Sequence, residues 1–212
     1  TISEAVVLKK IEGSIEFGTP TWNNGTAVVT LSTAEASYSI QYKINEGSWA
    51  NLSDAPTVGA DEGGTGEANT GTKGTVAGLN NNDVLYARLT NGTQYGAEVN
   101  TTIKDETAPK VTVQVTTKNT NSITVSANAV DNETGMASTV TYTYYIKQTS
   151  EPESSYTQKD KNTVDNASNN NTVTDSYTFE GLTQGTSYDI KVAVQGDKAG
   201  NKSTATAREQ IT

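Results

Sequence analysis

The chain has 212 residues, a net charge of −9 and a hydrophobic content of 33%. Cysteine and histidine are both absent, which excludes disulfides, thiolate chemistry, histidine-based catalytic triads and ordinary zinc sites. The negative charge argues against nucleic acid and against an anionic membrane surface as partners. No apolar run is long enough for direct membrane insertion. Threonine, asparagine, serine and glycine dominate the remainder and suit strands with polar outer faces and the turns between them.

The chain starts at Thr1 without a signal-peptide pattern, so we interpret it as part of a longer polypeptide. A cysteine-free β protein rich in threonine and asparagine suits an exported bacterial surface protein that does not rely on disulfides. Its first apolar residues, Ile2 to Ile11, fit either a short helix or an edge strand at Val6–Leu8. From Gly13 onward the pattern becomes that of β-strands.

Alternating apolar residues predict three strands in the first part of the chain. Turn signals such as Asn23-Asn24-Gly25 separate them. The third strand is expected to form a hairpin with Ser48–Leu52 across the turn at Asn45–Gly47. The alternating residues are Ile15 and Phe17; Ala27, Val29 and Leu31; and Tyr38, Ile40, Tyr42 and Ile44.

Residues 54–73 differ from their surroundings, because they are rich in glycine and acidic residues and almost free of apolar ones. Such a segment buries too little surface to offset its ordering entropy, so we expect a long mobile loop. Long loops are often binding elements; the alternative is a solvated insertion between strands.

Order is predicted to return at Val76, and Val84–Thr90 reads as another strand. Two registers are compatible with it: either Leu85 faces inward, together with Ala87 and Leu89, or a one-residue insertion brings Tyr86 to the turn. A last strand is predicted over Ala97–Ile103. Residues 104–109 then read as a short linker, because Pro109 excludes a helix and favours an extended residue before it.

The second half repeats the strand pattern, with turn signals every ~8–12 residues. Strand A is expected at Val111–Val115 and strand G at Ser203–Glu209. In strand C, Tyr145 and Lys147 are predicted to face outward. A short element near Tyr156 is expected within the polar segment 151–171. The inward-facing residues are Ile123, Val125, Ala127 and Ala129 in strand B; Val140, Tyr142, Tyr144 and Ile146 in strand C; Tyr177 and Phe179 in strand E; and Tyr188, Ile190, Val192 and Val194 in strand F.

These motifs resemble the fibronectin type III-like domains found in tandem in surface-exposed bacterial proteins. The resemblance is carried by residues 105–109, 129–135, 142–147 and 197–201, and by the spacing from Leu182 to Tyr188, which resembles the corner between strands E and F. Ala127 stands where the animal family has a tryptophan, and Gln184 where proline is usual. Residues 13–104 look like an immunoglobulin-like partner domain of the kind found in pilin-like or adhesin-like proteins.

The fold class is therefore predicted to be all-β, with two tandem immunoglobulin-like, fibronectin type III-like antiparallel β-sandwiches. The first domain spans residues 1–104, including a short N-terminal extension, and the second spans 105–212. Each half has the size and turn rhythm of such a sandwich, and two repeats mean two separate cores.

A candidate calcium site arises from loops that this topology brings to one end of the second domain, at the expected domain junction. Oxygen ligands there would suit Ca²⁺, which takes six to eight of them. The alternative is that each side chain caps its own loop backbone as an Asx turn. Apart from this possible Ca²⁺, no cofactor is expected. The candidate ligands are Asp105, Glu106, Asp131, Asn132, Glu133, Asp197 and Asn201.

Three aromatic residues, Trp22, Trp49 and Tyr95, form a second candidate site, a platform for stacking against sugars. The alternative is that the tryptophans belong to the core. Carboxylate pairs such as Glu151 and Glu153, or Asp61 and Glu62, lie in hydrophilic loops where a raised pKa is not expected. No catalytic residues are predicted.

The function expected from these features is that of a non-catalytic structural or adhesive module of a bacterial cell-surface or secreted protein. It would act as a spacer or bind a host or cell-surface protein or glycan. The alternatives are a carbohydrate-binding accessory region of a secreted glycoside hydrolase and a phage tail or decoration module. A Lys–Asn isopeptide bond would suit a cysteine-free stalk, but no pair is identified by the sequence.

Overall fold

The computed structural model describes residues 10–52 and 72–210. Over these ranges the chain is built from antiparallel strands, with a 3₁₀ turn at Glu153–Ser155. It divides into two compact units, with the main boundary between Lys104 and Asp105; residues 23–25 are grouped with the second unit. In the same ranges, the structure contains no helix with the length and apolarity needed to cross a membrane. The predictions for residues 2–9 and 54–71 lie outside the described residues.

Within residues 10–52 and 72–104, the first unit has two sheets. In one, the central strand β3 pairs with β1, β2 and β6; the other has the order β5–β4–β7–β8. The strands are β1 (Glu16–Phe17), β2 (Thr21–Asn23), β3 (Thr26–Ser32), β4 (Ser39–Ile44), β5 (Ala50–Asn51), β6 (Lys73–Leu79), β7 (Val84–Thr90) and β8 (Val99–Thr102).

Apolar residues from both sheets form the core of the first unit. The predicted alternation in β3 is confirmed, since Ala27, Val29 and Leu31 are fully buried. In β7, Leu85 is buried while the Tyr86 ring contacts Lys43, which selects the first of the two registers. Strand β8 is shorter than predicted.

The second unit also has two sheets, with strand orders β13–β10–β9 and β12–β11–β14–β15. The strands are β9 (Lys110–Lys118), β10 (Ile123–Val130), β11 (Met136–Gln148), β12 (Thr157–Asp165), β13 (Thr172–Phe179), β14 (Ser187–Asp197) and β15 (Lys202–Gln210). This arrangement of three strands against four, with antiparallel pairing throughout, is that of a fibronectin type III-like sandwich. The predicted fold class is confirmed.

The inward-facing residues predicted for strands B, C and F, which correspond to β10, β11 and β14, belong to the core of this unit. Two of its largest buried side chains are tyrosines whose hydroxyls need acceptors. Tyr142 Oη donates to the Val173 carbonyl at 2.6 Å, and Tyr144 Oη donates to Asp175 Oδ2 at 3.0 Å. Both acceptors lie on β13 in the facing sheet, so the two hydroxyls fasten the sheets together as well as filling the core.

One prediction for this unit needs correction, and the burial of one residue that was placed on the correct face was not foreseen. The element near Tyr156 is a nine-residue strand, β12, which pairs with β11; its polar sequence hid it, because an edge strand can be exposed on most of its residues. Lys147 does lie on the outer face of the sheet, but it is only 7% exposed. It is buried because Asp189 pairs with it and the Tyr156 ring lies beside its ammonium.

The corner between β13 and β14 has the predicted construction. Leu182 packs against the core, and its N–H donates to the Asn121 carbonyl at 2.8 Å. The Tyr188 hydroxyl accepts a hydrogen bond from the Thr183 N–H at 3.0 Å. The side chain of the corner tyrosine thus bonds nearby backbone, as expected.

Candidate functional site

The candidate functional site is a cluster of three aspartates in the second unit. Asp105 precedes β9, Asp131 follows β10 and Asp197 ends β14. One carboxylate oxygen from each lies within 4.8 Å of the others. The three residues are 5%, 1% and 5% exposed, respectively, so the cluster is enclosed.

The Thr134 hydroxyl lies at the centre of this cluster. Its oxygen is 2.7 Å from Asp105 Oδ2, 3.0 Å from Asp197 Oδ1 and 3.3 Å from Asp131 Oδ2. A hydroxyl has one proton to donate. Three carboxylate oxygens therefore converge on a donor that can serve one of them at a time, and the Thr134 N–H serves Asp105 Oδ2 as well, at 3.1 Å.

Each aspartate also caps the backbone of its own loop. Asp105 Oδ1 accepts from the N–H of residue 107 at 2.9 Å, and Asp131 Oδ1 accepts from the N–H of residue 133 at 2.8 Å. Asp197 accepts from the N–H groups of residues 199 and 201, at 2.7 and 3.0 Å. The Asx-turn alternative considered for these residues is thus present in the structure.

Burial raises the pKa of the Asp131 carboxyl to about 7, and the nearby charges of Asp197 and Asp105 add to the effect. A carboxyl with this pKa holds a proton through much of the acidic range. Chemically, the cluster can therefore balance its charge in two ways. It can retain a proton on the group, or it can take up a cation that all three carboxylates face.

The other predicted calcium ligands are arranged differently. The Asn201 side-chain amide donates to the carbonyls of Asp105 and Thr107, at 3.1 and 3.0 Å, and so orients the segment before β9. Glu106 and Asn132 are exposed. Thr134 was not among the predicted residues; its signal in the sequence is its place three residues after Asp131, where a hydroxyl can turn back toward the carboxylate.

The three aromatic residues of the proposed sugar platform occupy different elements of the first unit: Trp22 lies in β2, Trp49 directly precedes β5, and Tyr95 forms an isolated bridge with Thr90 of β7. Trp22 is on β2 and packs against the core. Trp49 and Tyr95 both contact the Arg88 guanidinium, whose Cζ is 4.0 and 3.9 Å from their ring centroids. Tyr95 remains 53% exposed. The structure therefore brings Trp49 and Tyr95 together through Arg88.

A buried ion pair on the outer face of the second unit was not anticipated. Lys147 Nζ is 2.8 Å from Asp189 Oδ2, and Arg208 Nε is 2.5 Å from Asp189 Oδ1. The Thr149 hydroxyl donates to the same carboxylate at 2.9 Å. The Arg208 guanidinium, with help from Lys147 and Thr149, holds the pKa of Asp189 well below its usual range.

Comparison with known proteins gives structural similarity alone. No family model matches the sequence, and no curated protein matches it. The two-domain fibronectin type III segment of chicken tenascin is 14% identical, with a TM-score of 0.47 over 94% of this chain and 98% of that chain. The chicken interferon gamma receptor alpha chain is 11% identical, with a TM-score of 0.49 over 92% and 97%.

The sensor domain of an anti-sigma factor from Pseudobacteroides cellulosolvens covers 51% of this chain and 100% of its own, at 14% identity and a TM-score of 0.36. At these identities each is a similarity of fold, and none assigns an activity to this chain.

Proposed function

We propose that this chain is a structural and adhesive segment of a bacterial cell-surface or secreted protein, in which its two sandwiches separate or present other parts of the polypeptide. Fibronectin type III-like domains are generally non-catalytic interaction or spacer modules. The lack of cysteine means that such a segment must hold its loops by other means than disulfides.

The observation that carries the proposal is that the aspartate cluster joins three separate segments of the second unit. Through Thr134 it joins the segment before β9, the loop after β10 and the loop after β14. Every carboxylate also bonds the backbone of its own loop. These contacts stabilise one end of a sandwich, which is what a spacer under load requires.

Localisation on the source cells tests the proposal. Antibodies raised against the purified chain are expected to label intact cells or the culture medium, and protease treatment of intact cells should remove the cell-bound signal. Signal confined to the cytosolic fraction after lysis would overturn it. The sequence that flanks residues 1 and 212 separates the alternatives, because an adjoining hydrolase domain or a phage tail gene would each select one of them.

Calcium binding by the cluster stays a prediction. It is favoured by the convergence of three carboxylates within 4.8 Å, since oxygens that share one Ca²⁺ at 2.3–2.6 Å lie within about twice that distance of each other. Isothermal titration should give heat and proton release near pH 7 if Ca²⁺ displaces the proton held by the cluster. If titration with Ca²⁺ gives no heat and chelator does not shift the Tm, the cluster does not bind Ca²⁺. The negative charge of its carboxylates is then balanced by a retained proton.

A further inference from the structure

A groove crosses the outer face of the four-stranded sheet in the second unit. Its volume is about 420 Å³, and none of the three clustered aspartates is among its lining residues. The floor comes from β11 and β14, with Thr143, Tyr145 and Ala193 among its residues; Lys161 on β12 and Lys202 on β15 line it as well.

The strand register explains why the two lysines share one face. Lys161 pairs with Thr143, and Thr143 pairs with Ala193. Gln195, two residues after Ala193 and therefore on the same face, pairs with Lys202. Because the two floor strands lie between them, β12 and β15 are about 14 Å apart. The lysines therefore stand on opposite sides of the groove.

The charges of these two lysines are not balanced by the groove. No aspartate or glutamate is among its lining residues, and neither lysine forms an ion pair within residues 10–52 and 72–210. By contrast, Lys147, Lys191 and Arg208 on the same sheet each have a carboxylate partner.

The groove is therefore a cationic site on a chain whose net charge is −9. Exposed charges separated by more than roughly 8 Å are largely screened at physiological ionic strength. The two lysines of the lining are therefore expected to dominate the charge that a bound ligand meets.

The rest of the groove is suited to a sugar. Tyr145 is half-buried, and the Lys191 ammonium lies 5.4 Å from its ring centroid. An aromatic ring of this kind can stack on a pyranose ring. Threonine and glutamine side chains, from Thr141, Gln158 and Thr204, supply hydroxyl and amide groups that can both donate and accept hydrogen bonds. Cations on two sides and neutral hydrogen-bonding groups between them match a chain of sugars with anionic groups at intervals.

We propose that this groove binds an acidic polysaccharide, with Lys161 and Lys202 meeting its carboxylate or sulfate groups and Tyr145 contacting a sugar ring. The inference deepens the proposed adhesive function and rests on it for the source of the ligand. Binding by the purified chain is measured independently of where the protein resides, so failure of one proposal is distinguishable from failure of the other.

The test uses the full chain, with oligogalacturonate as the carboxylated probe, dextran sulfate oligosaccharides as the sulfated probe and neutral dextran as the control. Isothermal titration at low and physiological salt should show binding of at least one acidic probe, weakening with salt, and none of dextran. The double variant Lys161→Ala/Lys202→Ala should bind at least about tenfold more weakly, because two charge-assisted contacts are lost.

A matched control removes the same number of positive charges from residues outside the groove. Lys104 and Lys110 are exposed and, in the described part of the chain, have no ion-pair partner; Lys104→Ala/Lys110→Ala should bind like the unmodified chain. Tyr145→Ala should weaken sugar binding while leaving the binding of inorganic polyphosphate unchanged. The proposal is overturned if neither acidic probe binds at low salt, if both double variants behave alike, or if Tyr145→Ala has no effect on sugar binding.

Discussion

Asp189 and Lys147 form an ion pair with each other. Removing the carboxylate of Asp189 is nevertheless expected to destabilise the second unit more than removing the ammonium of Lys147. Asp189→Asn leaves the ammonium of Lys147, a residue only 7% exposed, without its charged partner. Lys147→Met fills much of the same volume and leaves Asp189 paired with Arg208, whose side chain is largely exposed. The two substitutions therefore leave very different charges behind.

The magnitude follows from burial. Breaking a buried ion pair by deleting one partner costs about 3–5 kcal/mol, because the other charge stays uncompensated. Asp189 also lines an open groove beside Tyr156 and Arg208, so water reaches the carboxylate, and we expect Asp189→Asn to cost about 3 kcal/mol, the lower end of that range. Lys147→Met should cost about 1 kcal/mol, since it loses the hydrogen bond to the Glu151 carbonyl but no charge is stranded. The double variant should resemble Lys147→Met.

Urea denaturation of the full chain measures these differences, with far-ultraviolet circular dichroism following both units. Both tryptophans, Trp22 and Trp49, lie in the first unit. Tryptophan fluorescence thus provides an internal control, and the transition it reports should not move in any of the three variants. A change in that transition would show that the substitution acts on more than the second unit.

The reasoning would be refuted if the two single variants lost the same free energy of unfolding and the double variant lost the sum of the two. Acid provides a second check. Because the folded-state pKa of Asp189 is lowered, the stabilisation is fully present above the ordinary aspartate pKa of 3.8 and is lost as the pH falls below it. The difference between the unmodified chain and Asp189→Asn should therefore shrink in acid.

The remaining predictions concern single residues of the second unit. Because the folded-state pKa of Asp131 is raised to about 7, the contribution of this carboxyl to stability in the presence of chelator should be greatest below pH 4 and fall by up to about 1.4 kcal/mol per pH unit toward pH 7. Asp131→Asn should remove this contribution from the pH dependence measured in urea melts, and an unchanged slope would contradict it. Tyr188→Phe should cost about 1 kcal/mol through loss of the bond from the Thr183 N–H, with no change in oligosaccharide binding; an unchanged urea midpoint would count against the corner. Gly196→Ala should cost at least about 2 kcal/mol in a thermal melt, because φ is +138° and the added Cβ would lie 2.8 Å from the Val140 Cα; a Tm equal to that of the unmodified chain would exclude the strain.

The strands of the core could be predicted because their signal is local. In β10, the apolar residues Ile123, Val125, Ala127 and Ala129 alternate with polar ones, and all four are fully buried. A period of two assigns each side chain to a face without knowledge of its partners. The spacing from Leu182 to Tyr188 likewise lies within one turn of chain, so the corner could be identified from the sequence before its hydrogen bond was known.

The aspartate cluster was predicted in part, because the topology brings its loops to one end of the sandwich. The topology did not identify which residues converge. Asp105 and Asp197 lie 29 and 63 residues from Thr134 along the chain, and the meeting of their oxygens depends on the packing of two sheets. Sequence spacing cannot encode such a distance.

The burial of charged residues on strand faces could not be predicted from the sequence either. Lys147 and Lys161 both occur in polar, outward-facing rows of the sequence, yet Lys147 is enclosed with Asp189 and Lys161 lines an open groove. Alternation decides which face a side chain takes, and that much the sequence determined alone. Whether the face is covered is decided by residues from other parts of the chain, here Tyr156 before β12 and Asp189 on β14, because burial depends on neighbours that only the folded chain brings together.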